Sequence, residues 1–325
     1  VRADALRRGD FGVDAMVKPA LLFNTGFGER LLNGALADRF EFIRLSQATD
    51  PQALLASRGG EVAAMLTTQC DAPLLDRLPN LRLIVAPGAG YEGIDVAAAR
   101  ARGVKVANAG DAHSGDVADH ALALAIAAIH RLPEGQALVR EGGWLAGAPL
   151  PTRHAMSAQR FGVVGLGNIG SAIARRLAPF GGEIAWWSRS RRDAPWPRRD
   201  SLVDLARWCS VLFVATRGDA VGLIDAQTIA AVGPEGLIVN ISRGSVVDED
   251  ALMAALREGR LGYAALDVFA KEPTAPERWR DVPNVILTPH IGGVAHESIA
   301  RLREAAIRNL TSVLDGGPLV NEIVS

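Results

Sequence analysis

The stretch Phe161-Gly162-Val163-Val164-Gly165-Leu166-Gly167-Asn168-Ile169-Gly170 decides how this chain is read. An apolar run enters it, glycines follow in the spacing Gly-x-Gly-x-x-Gly, and Ser171 to Leu177 continues with helical character. The spacing alone is weak evidence, because glycine-rich turns are common. Between a strand and a helix it becomes a dinucleotide fingerprint. Gly165 allows the tight turn, Gly167 lets the backbone approach a pyrophosphate, and Gly170 lets helix and strand pack closely. Leu166, Asn168 and Ile169 complete the turn on which the phosphates would rest, at the positive end of the helix.

Working downstream, the next apolar run is Glu183 to Trp187, followed by Ser188-Arg189-Ser190-Arg191-Arg192. A binder of NAD usually places an acid about 20 residues past the glycines, against the ribose 2′-hydroxyl. Ser188 stands at that position here. An acid would repel a 2′-phosphate, whereas a serine followed by Arg189, Ser190 and Arg191 offers it hydrogen bonds and charge. The segment therefore selects NADP(H), and NAD is disfavoured. A solvated basic loop is the competing reading, since Arg198 and Arg199 extend the run.

The same alternation of apolar runs and Ala/Leu/Arg-rich stretches extends in both directions, which argues for parallel βαβ units. Upstream, strands read at Ala20–Asn24, Glu41–Leu45, Val62–Thr67, Leu81–Ala86 and Val104–Ala107. Helices read between them, as at Ala53–Ser57 and Asp95–Ala101. A long apolar helix over Asp116–His130 comes next, then a break at Pro133 and a second helix ending at Gly142. The second set of strands reads at Arg160–Gly165, Glu183–Trp187, Val211–Ala215, Gly236–Ile241, Tyr263–Val268 and Val285–Leu287. A terminal helix covers Val294–Leu314, with apolar positions Ile299, Leu302, Ala306, Leu310 and Val313. The expectation is an α/β chain of two Rossmann-like or flavodoxin-like domains with parallel sheets. A dinucleotide-binding domain over 114–295 is inserted in a domain made of 1–113 and 296–325. Val1 to Ala15 is polar, arginine-rich and aperiodic, and reads as a loosely ordered extension. No apolar segment follows its charges as in a secretory signal.

Composition narrows the function classes. The 325 residues, 49% apolar and 22% charged, suit two soluble globular domains. A formal net charge of −1 leaves no basic excess for a phosphate backbone, so nucleic acid is not the expected partner. No apolar run reaches the ~18 residues that span a bilayer, so neither a membrane partner nor a membrane location is expected, and a cytoplasmic protein is the default. Cys70 and Cys209 are too few for a disulfide framework and lie in no metal-ligand spacing, so no metal is expected.

Three residues at the ends of apolar runs carry chemistry. Arg243 lies in Asn240-Ile-Ser-Arg-Gly-Ser, Glu272 in Asp267-Val-Phe-Ala-Lys-Glu-Pro, and His290 in Leu287-Thr-Pro-His-Ile-Gly-Gly. A guanidinium can clamp a carboxylate in its planar fork. A carboxylate beside an imidazole favours the protonated ring, which can act as a general acid toward a carbonyl. Together they suit holding and reducing a 2-oxo acid. The remaining histidines, His113, His120, His130, His154 and His296, have no such setting and read as helix-face or surface residues. His120, after an acid in Asp116-Val-Ala-Asp-His, reads as a helix-packing residue.

At this point the chain resembles the D-isomer-specific 2-hydroxyacid dehydrogenase family, from about Ala20 to the C-terminus. The matching segments are GAGYEGIDVAAARARGVKVAN from Gly88, DVADHALAL from Asp116, GLGNIG, NISRGSVVDEDAL from Asn240, ALDVFAKEP from Ala265 and PNVILTPHIGG from Pro283. The WWSRSRR segment from Trp186 looks like its NADPH-preferring branch, which reduces glyoxylate, hydroxypyruvate or hydroxyphenylpyruvate. The resemblance implies His290 as general acid and Arg243 as carboxylate clamp. It implies the backbone N–H groups of Ala89 and Gly90 as further carboxylate ligands, and Asp267 as acceptor for the nicotinamide amide. It also implies a product of D configuration and a homodimer, in which the loop carrying Trp144 reaches the neighbouring subunit. Thr216 and Arg217 stand on the adenine side, where the segment VATRGDAVGLIDA departs from the family pattern. Pocket walls would come from Thr67–Cys70, Tyr91, Trp279 and Trp144. Two alternatives remain on the same scaffold: an NAD-linked, oxidatively working enzyme of the phosphoglycerate dehydrogenase kind, and a cofactor-sensing corepressor.

Overall fold

The computed structural model describes residues 18–149 and 152–324, so the expected extension at Val1–Ala15 lies outside the described residues. The chain divides into two compact units. One runs to Gly110 and resumes at Leu302, and the other is Asp111–Arg301. The sequence reading set the breaks at 113/114 and 295/296.

In the first unit the strands are β1 (Ala20–Phe23), β2 (Glu41–Arg44), β3 (Val62–Leu66), β4 (Gln69–Cys70), β5 (Leu83–Val85), β6 (Gly93–Ile94) and β7 (Lys105–Ala107). The main sheet is parallel, in the order β2-β1-β3-β5-β7. With the two-residue pair β4–β6 set aside, this is the 2-1-3-4-5 order of a flavodoxin-like sheet. Every residue of β1, β3 and β5 is buried, as expected of parallel strands covered on both faces. Three of this unit's helices start at an aspartate that caps them. Asp50 accepts from Gln52 and Ala53 N–H, Asp71 from Leu74, and Asp95 from Ala98. Past Leu302 the terminal helix (His296–Asp315) and the tail belong to this unit, where Arg303 donates to Leu31 O and Ile323 N–H to Val106 O. The β4–β6 pair was not anticipated, because two residues are too few to show a period.

The second unit holds β8 (Arg160–Val164), β9 (Glu183–Trp187), β10 (Val211–Val214), β11 (Leu237–Asn240), β12 (Tyr263–Leu266) and β13 (Val285–Leu287). They form one parallel sheet in the order β13-β12-β11-β10-β8-β9. A parallel bridge between Trp186 and Arg198 adds one more position beyond β9. Counted with it, the order is the 3-2-1-4-5-6 of a dinucleotide-binding sheet, with β13 as an extra edge. Alternation along the strands feeds two cores. Phe161, Val163, Val211, Phe213 and Val239 face the helices Ser114–Ile129 and Asn168–Leu177. Val164, Leu212, Val214 and Ile238 face the helices Leu202–Trp208, Ala226–Val232 and Glu249–Arg257. The break before the second long helix (Leu132–Arg140) is not at Pro133, which sits in that helix's first turn. It is at Arg131, in the left-handed conformation with φ 52°. A first-turn proline lacks only an N–H that has no helical partner anyway.

Candidate active site

The fingerprint occupies the switch point of the second sheet, where β8 neighbours both β9 and β10. Gly165 follows β8 with φ 87°, and a Cβ there would come within 2.8 Å of Ala215 O and Thr216 Cα. A Cβ on Gly170 would stand 1.9 Å from Gly165 O, so helix and strand touch only because both residues are glycine. Gly167 is different. A Cβ there would meet no protein atom within 4 Å, and Gly167 caps the helix Asn168–Leu177 without any side-chain bond to its N–H groups. Protein packing does not require glycine at 167, whereas a phosphate approaching the uncapped helix end does. The residues therefore fit a dinucleotide.

At the end of β9, Ser188 Oγ donates to Ser190 O at 2.5 Å and closes its own turn. Arg198 donates to Ser188 O at 2.9 Å and lies over the Trp186 ring. Arg199 pairs with Asp204 at 3.2 Å and lies over Trp208. These two arginines are structural. Arg189, Arg191 and Arg192 are exposed and enter no ion pair among the described residues. The basic run thus splits into a part that holds the loop and a part that faces solvent. Arg217, on the next loop, lies 3.5 Å from Asp219.

Three neighbouring strands, β11, β12 and β13, deliver the chemical groups on the loops that follow them. After β11, Asn240 staples the turn: its Oδ1 accepts from Ser242 N–H and its Nδ2 donates to Arg243 O, both at 3.1 Å. Arg243 is half-buried and donates from Nη1 to Ser242 O at 2.7 Å. A Cβ on Gly244 would sit 1.8 Å from the Phe269 carbonyl carbon, so this loop packs backbone to backbone on the loop after β12. There Glu272 Oε1 accepts from Phe269 N–H at 3.0 Å, and Oε2 stands 2.6 Å from His290 Nδ1. Buried Glu249 accepts from Ala270 N–H at 2.5 Å and pairs with Arg278 at 3.1 Å, fixing the same loop from below. With Nδ1 of His290 taken by the carboxylate, Nε2 is the ring atom left for a substrate.

Asp267 is not placed as a bare acceptor. It is 2% exposed, and its carboxylate accepts from Thr288 Oγ1 at 2.6 Å, Ile291 N–H at 2.9 Å and Gly292 N–H at 2.8 Å. Burial alone pushes this carboxyl up, but hydrogen bonds from His120, Thr288, Ile291 and Gly292 outweigh it and hold it below the usual aspartate value. His120 corrects the sequence reading. It is not merely a packing residue, because its Nε2 lies 3.0 Å from Thr288 Oγ1 and 3.3 Å from Asp267 Oδ1. His113 was also missed. Its ring lies against Gly293, and its buried Nδ1 has no partner among the described residues. Burial first, then the charge of Arg243, holds its imidazole below the usual histidine value. Its sequence neighbours gave no sign of this, since the contact comes from residues far along the chain.

Trp279 is a second correction. It is 5% exposed, packs edge-on against Phe269, and donates to Thr274 Oγ1 at 2.9 Å, so it belongs to the core beneath the Glu272 loop and not to a pocket wall. Trp144 is 63% exposed. In the first unit, Ala89 and Gly90 lie on the half-buried loop after β5, where Asn108 Nδ2 donates to Ala89 O at 2.7 Å. The Thr67–Cys70 turn is tied to Asn24, whose Nδ2 donates to Gln69 O at 2.6 Å. Tyr91 packs on that unit's core. Among the described residues no cluster of three or more His, Cys, Asp or Glu could hold a metal, and no helix is long and apolar enough to cross a membrane.

A dinucleotide turn at the switch point of a parallel sheet, with a histidine–carboxylate pair and an arginine on neighbouring loops, defines a dinucleotide-dependent oxidoreductase. The chain belongs to the D-isomer specific 2-hydroxyacid dehydrogenases, whose NAD binding domain matches residues 122–292. It is 35% identical over 300 residues to glyoxylate/hydroxypyruvate reductase A of Arabidopsis thaliana, covering 90% of this chain and 95% of the relative. Its fold matches a 2-hydroxyacid dehydrogenase from Ketogulonicigenium vulgare Y25 with a TM-score of 0.87, at 38% identity over 95% of this chain and 99% of that one. It also matches the NADPH-dependent glyoxylate/hydroxypyruvate reductase of Sinorhizobium meliloti, solved with NADP and malonate. There the TM-score is 0.85 at 30% identity, over 95% of this chain and 97% of that one.

Proposed function

We propose that the protein is an NADPH-dependent reductase of small 2-oxo acids such as glyoxylate, hydroxypyruvate or an aryl pyruvate, yielding the D-2-hydroxy acid. The observation that carries the reading is the His290–Glu272 pair at 2.6 Å, on loops that pack beside that of Arg243. Bound NADPH would supply the hydride. Gly165 to Gly170 would hold its pyrophosphate, and Ser188, Arg189, Ser190 and Arg191 its 2′-phosphate, with Thr216 beside the adenine ribose. Arg243 would clamp the substrate carboxylate, aided by the N–H groups of Ala89 and Gly90. His290 would pass the proton on Nε2 to the carbonyl oxygen as the C–H bond forms, while Glu272 holds Nδ1–H and stabilises the ring's charge. Asp267 is assigned to the nicotinamide side of the site through the loop it organises.

The same reading makes the protein a cytoplasmic homodimer. Both of its cysteines are free and buried, which suits a reducing compartment. Leu132, Val139, Trp144 and Leu145 are exposed along the second long helix and the loop after it, which supports a subunit contact there.

NADPH oxidation measured at 340 nm with a panel of 2-oxo acids tests the function. Turnover with glyoxylate, hydroxypyruvate or hydroxyphenylpyruvate, at least tenfold better with NADPH than with NADH, is expected. Absence of turnover with every acid would favour a cofactor-sensing protein, and preference for NAD with 2-hydroxy acids would favour the oxidative alternative.

A further inference from the structure

We propose that His120 is a positioning residue for His290, acting from a separate helix through Thr288 and Asp267; this rests on His290 being the general acid. The wiring follows from proton counting. Asp267, held below the usual value, is ionised and can only accept. The single hydroxyl proton of Thr288 therefore goes to Asp267 Oδ1, at 2.6 Å. Thr288 Oγ1 is left as an acceptor toward His120 Nε2 at 3.0 Å, so the proton of His120 is on Nε2. That N–H also reaches Asp267 Oδ1 at 3.3 Å.

The far end of this chain of bonds is the backbone that carries His290. Its N–H donates to Asp267 O at 2.8 Å, and the two following N–H groups, of Ile291 and Gly292, donate to the Asp267 carboxylate. His290 itself has φ 54°, a left-handed conformation that strains a non-glycine residue and persists only where its surroundings enforce it. The enforcing groups are Asp267 and whatever fixes Asp267. His120 fixes it from outside the loop. It projects from the 16-residue helix Ser114–Ile129, which packs against β11, β12 and β13, so its ring position is set by a rigid element. The ring also touches the loop directly, since a Cβ on Gly292 would lie 3.3 Å from His120 Cδ2 and 3.0 Å from Asp267 Oδ2. Loss of the Nε2 donor would let Thr288 rotate and the carboxylate drift. The imidazole of His290 would then move relative to both Glu272 and substrate.

Two substitutions separate positioning from packing. His120→Phe keeps a ring and loses the donor, whereas His120→Gln keeps an N–H near the same place. In His120→Phe, kcat should fall on the order of 10- to 100-fold, the cost typical of a misplaced catalytic group. The KM for the 2-oxo acid should stay within about twofold, because the substrate carboxylate is held by Arg243 and not by His120. His120→Gln should recover most of the lost kcat. In the protein without cofactor, the peptide covering residues 288–293 should exchange its amide hydrogens faster in His120→Phe and at nearly the parent rate in His120→Gln. The double variant His120→Phe/His290→Ala should be no slower than His290→Ala alone, since a positioning residue has nothing left to position. If His120→Phe does not fold, Thr288→Val cuts the same link from its other end and carries the same expectations. Parent-level kcat in His120→Phe, a His120→Gln as slow as the phenylalanine variant, or multiplying losses in the double variant would each overturn the proposal. A crippled His290→Ala beside a fully active His120→Phe removes this inference and spares the assignment of His290. A fully active His290→Ala removes both.

Discussion

Arg189 tests the cofactor choice at a single side chain. It is exposed at the end of β9, clear of the two arginines that brace the loop, so its loss should leave the fold alone. A charge-assisted hydrogen bond contributes about 1.5–3 kcal/mol. Arg189→Ala should therefore raise the KM for NADPH roughly 10- to 100-fold and change the KM for NADH by less than about twofold, as initial rates with the two cofactors will show. Equal losses with both would mean that the arginine touches no 2′-phosphate. Legibility at this scale depended on whether a residue's neighbours in the sequence were also its neighbours in space. Arg243, Glu272 and His290 could be singled out because each follows an apolar run and loops at strand ends carry polar groups. Glu249, Asn240, His113 and His120 could not. Their partners lie 21, 3, 180 and 168 positions away, and even the short reach of Asn240 depends on a turn that its residue types do not announce.

Among the elements, the fingerprint turn separates packing from binding. Gly170→Ala would press a methyl onto Gly165 O, 1.9 Å away, and force the helix Asn168–Leu177 off β8, so both the melting temperature and NADPH affinity should fall. Gly167→Ala meets open space and should melt within about 1–2 °C of the parent while losing NADPH affinity by an order of magnitude or more. Thermal melts with and without NADPH decide this, and a Gly167→Ala variant with normal affinity would refute the phosphate assignment. The loop after β13 has its own signature in pH. Asp267 is held below its ordinary 3.8, so its contribution to stability is complete above that value and disappears as pH falls through the depressed one. The melting-temperature gap between the parent and Asp267→Asn should be constant from pH 8 to about 5 and should close below about pH 4. A gap that widened in acid would reverse the sign. Elements were the most legible part of the sequence, because buried parallel strands are continuous apolar runs. What escaped was what has no period, namely the two-residue β4–β6 pair and the left-handed Arg131 that ends the long helix. The burial of Trp279 escaped as well, since nothing in its sequence separates a core aromatic from a pocket wall.

At the scale of the whole molecule, the exposed apolar side chains of Leu132, Val139, Trp144 and Leu145 argue for a second copy. Light scattering at micromolar protein should return a mass near twice 34.3 kDa, and Trp144→Ser/Leu145→Ser should shift it toward the single-chain value. A fully active particle of one chain's mass would refute the dimer. The two domains were legible as an interrupted order of strands, because the terminal helix followed a set that was already complete. Its return to the first unit past Leu302 is now explicit in the bonds of Arg303 and Ile323. The sulfur chemistry of the chain has a practical side. Burial pushes the thiols of Cys70 and Cys209, the only cysteines present, up to about 12, so both stay protonated at neutral pH. Maleimides should find almost no thiol to attack. A cysteine introduced on an exposed loop would then be the one reactive thiol, and a fluorophore or spin label placed there would report ligand binding in an otherwise unmodified enzyme.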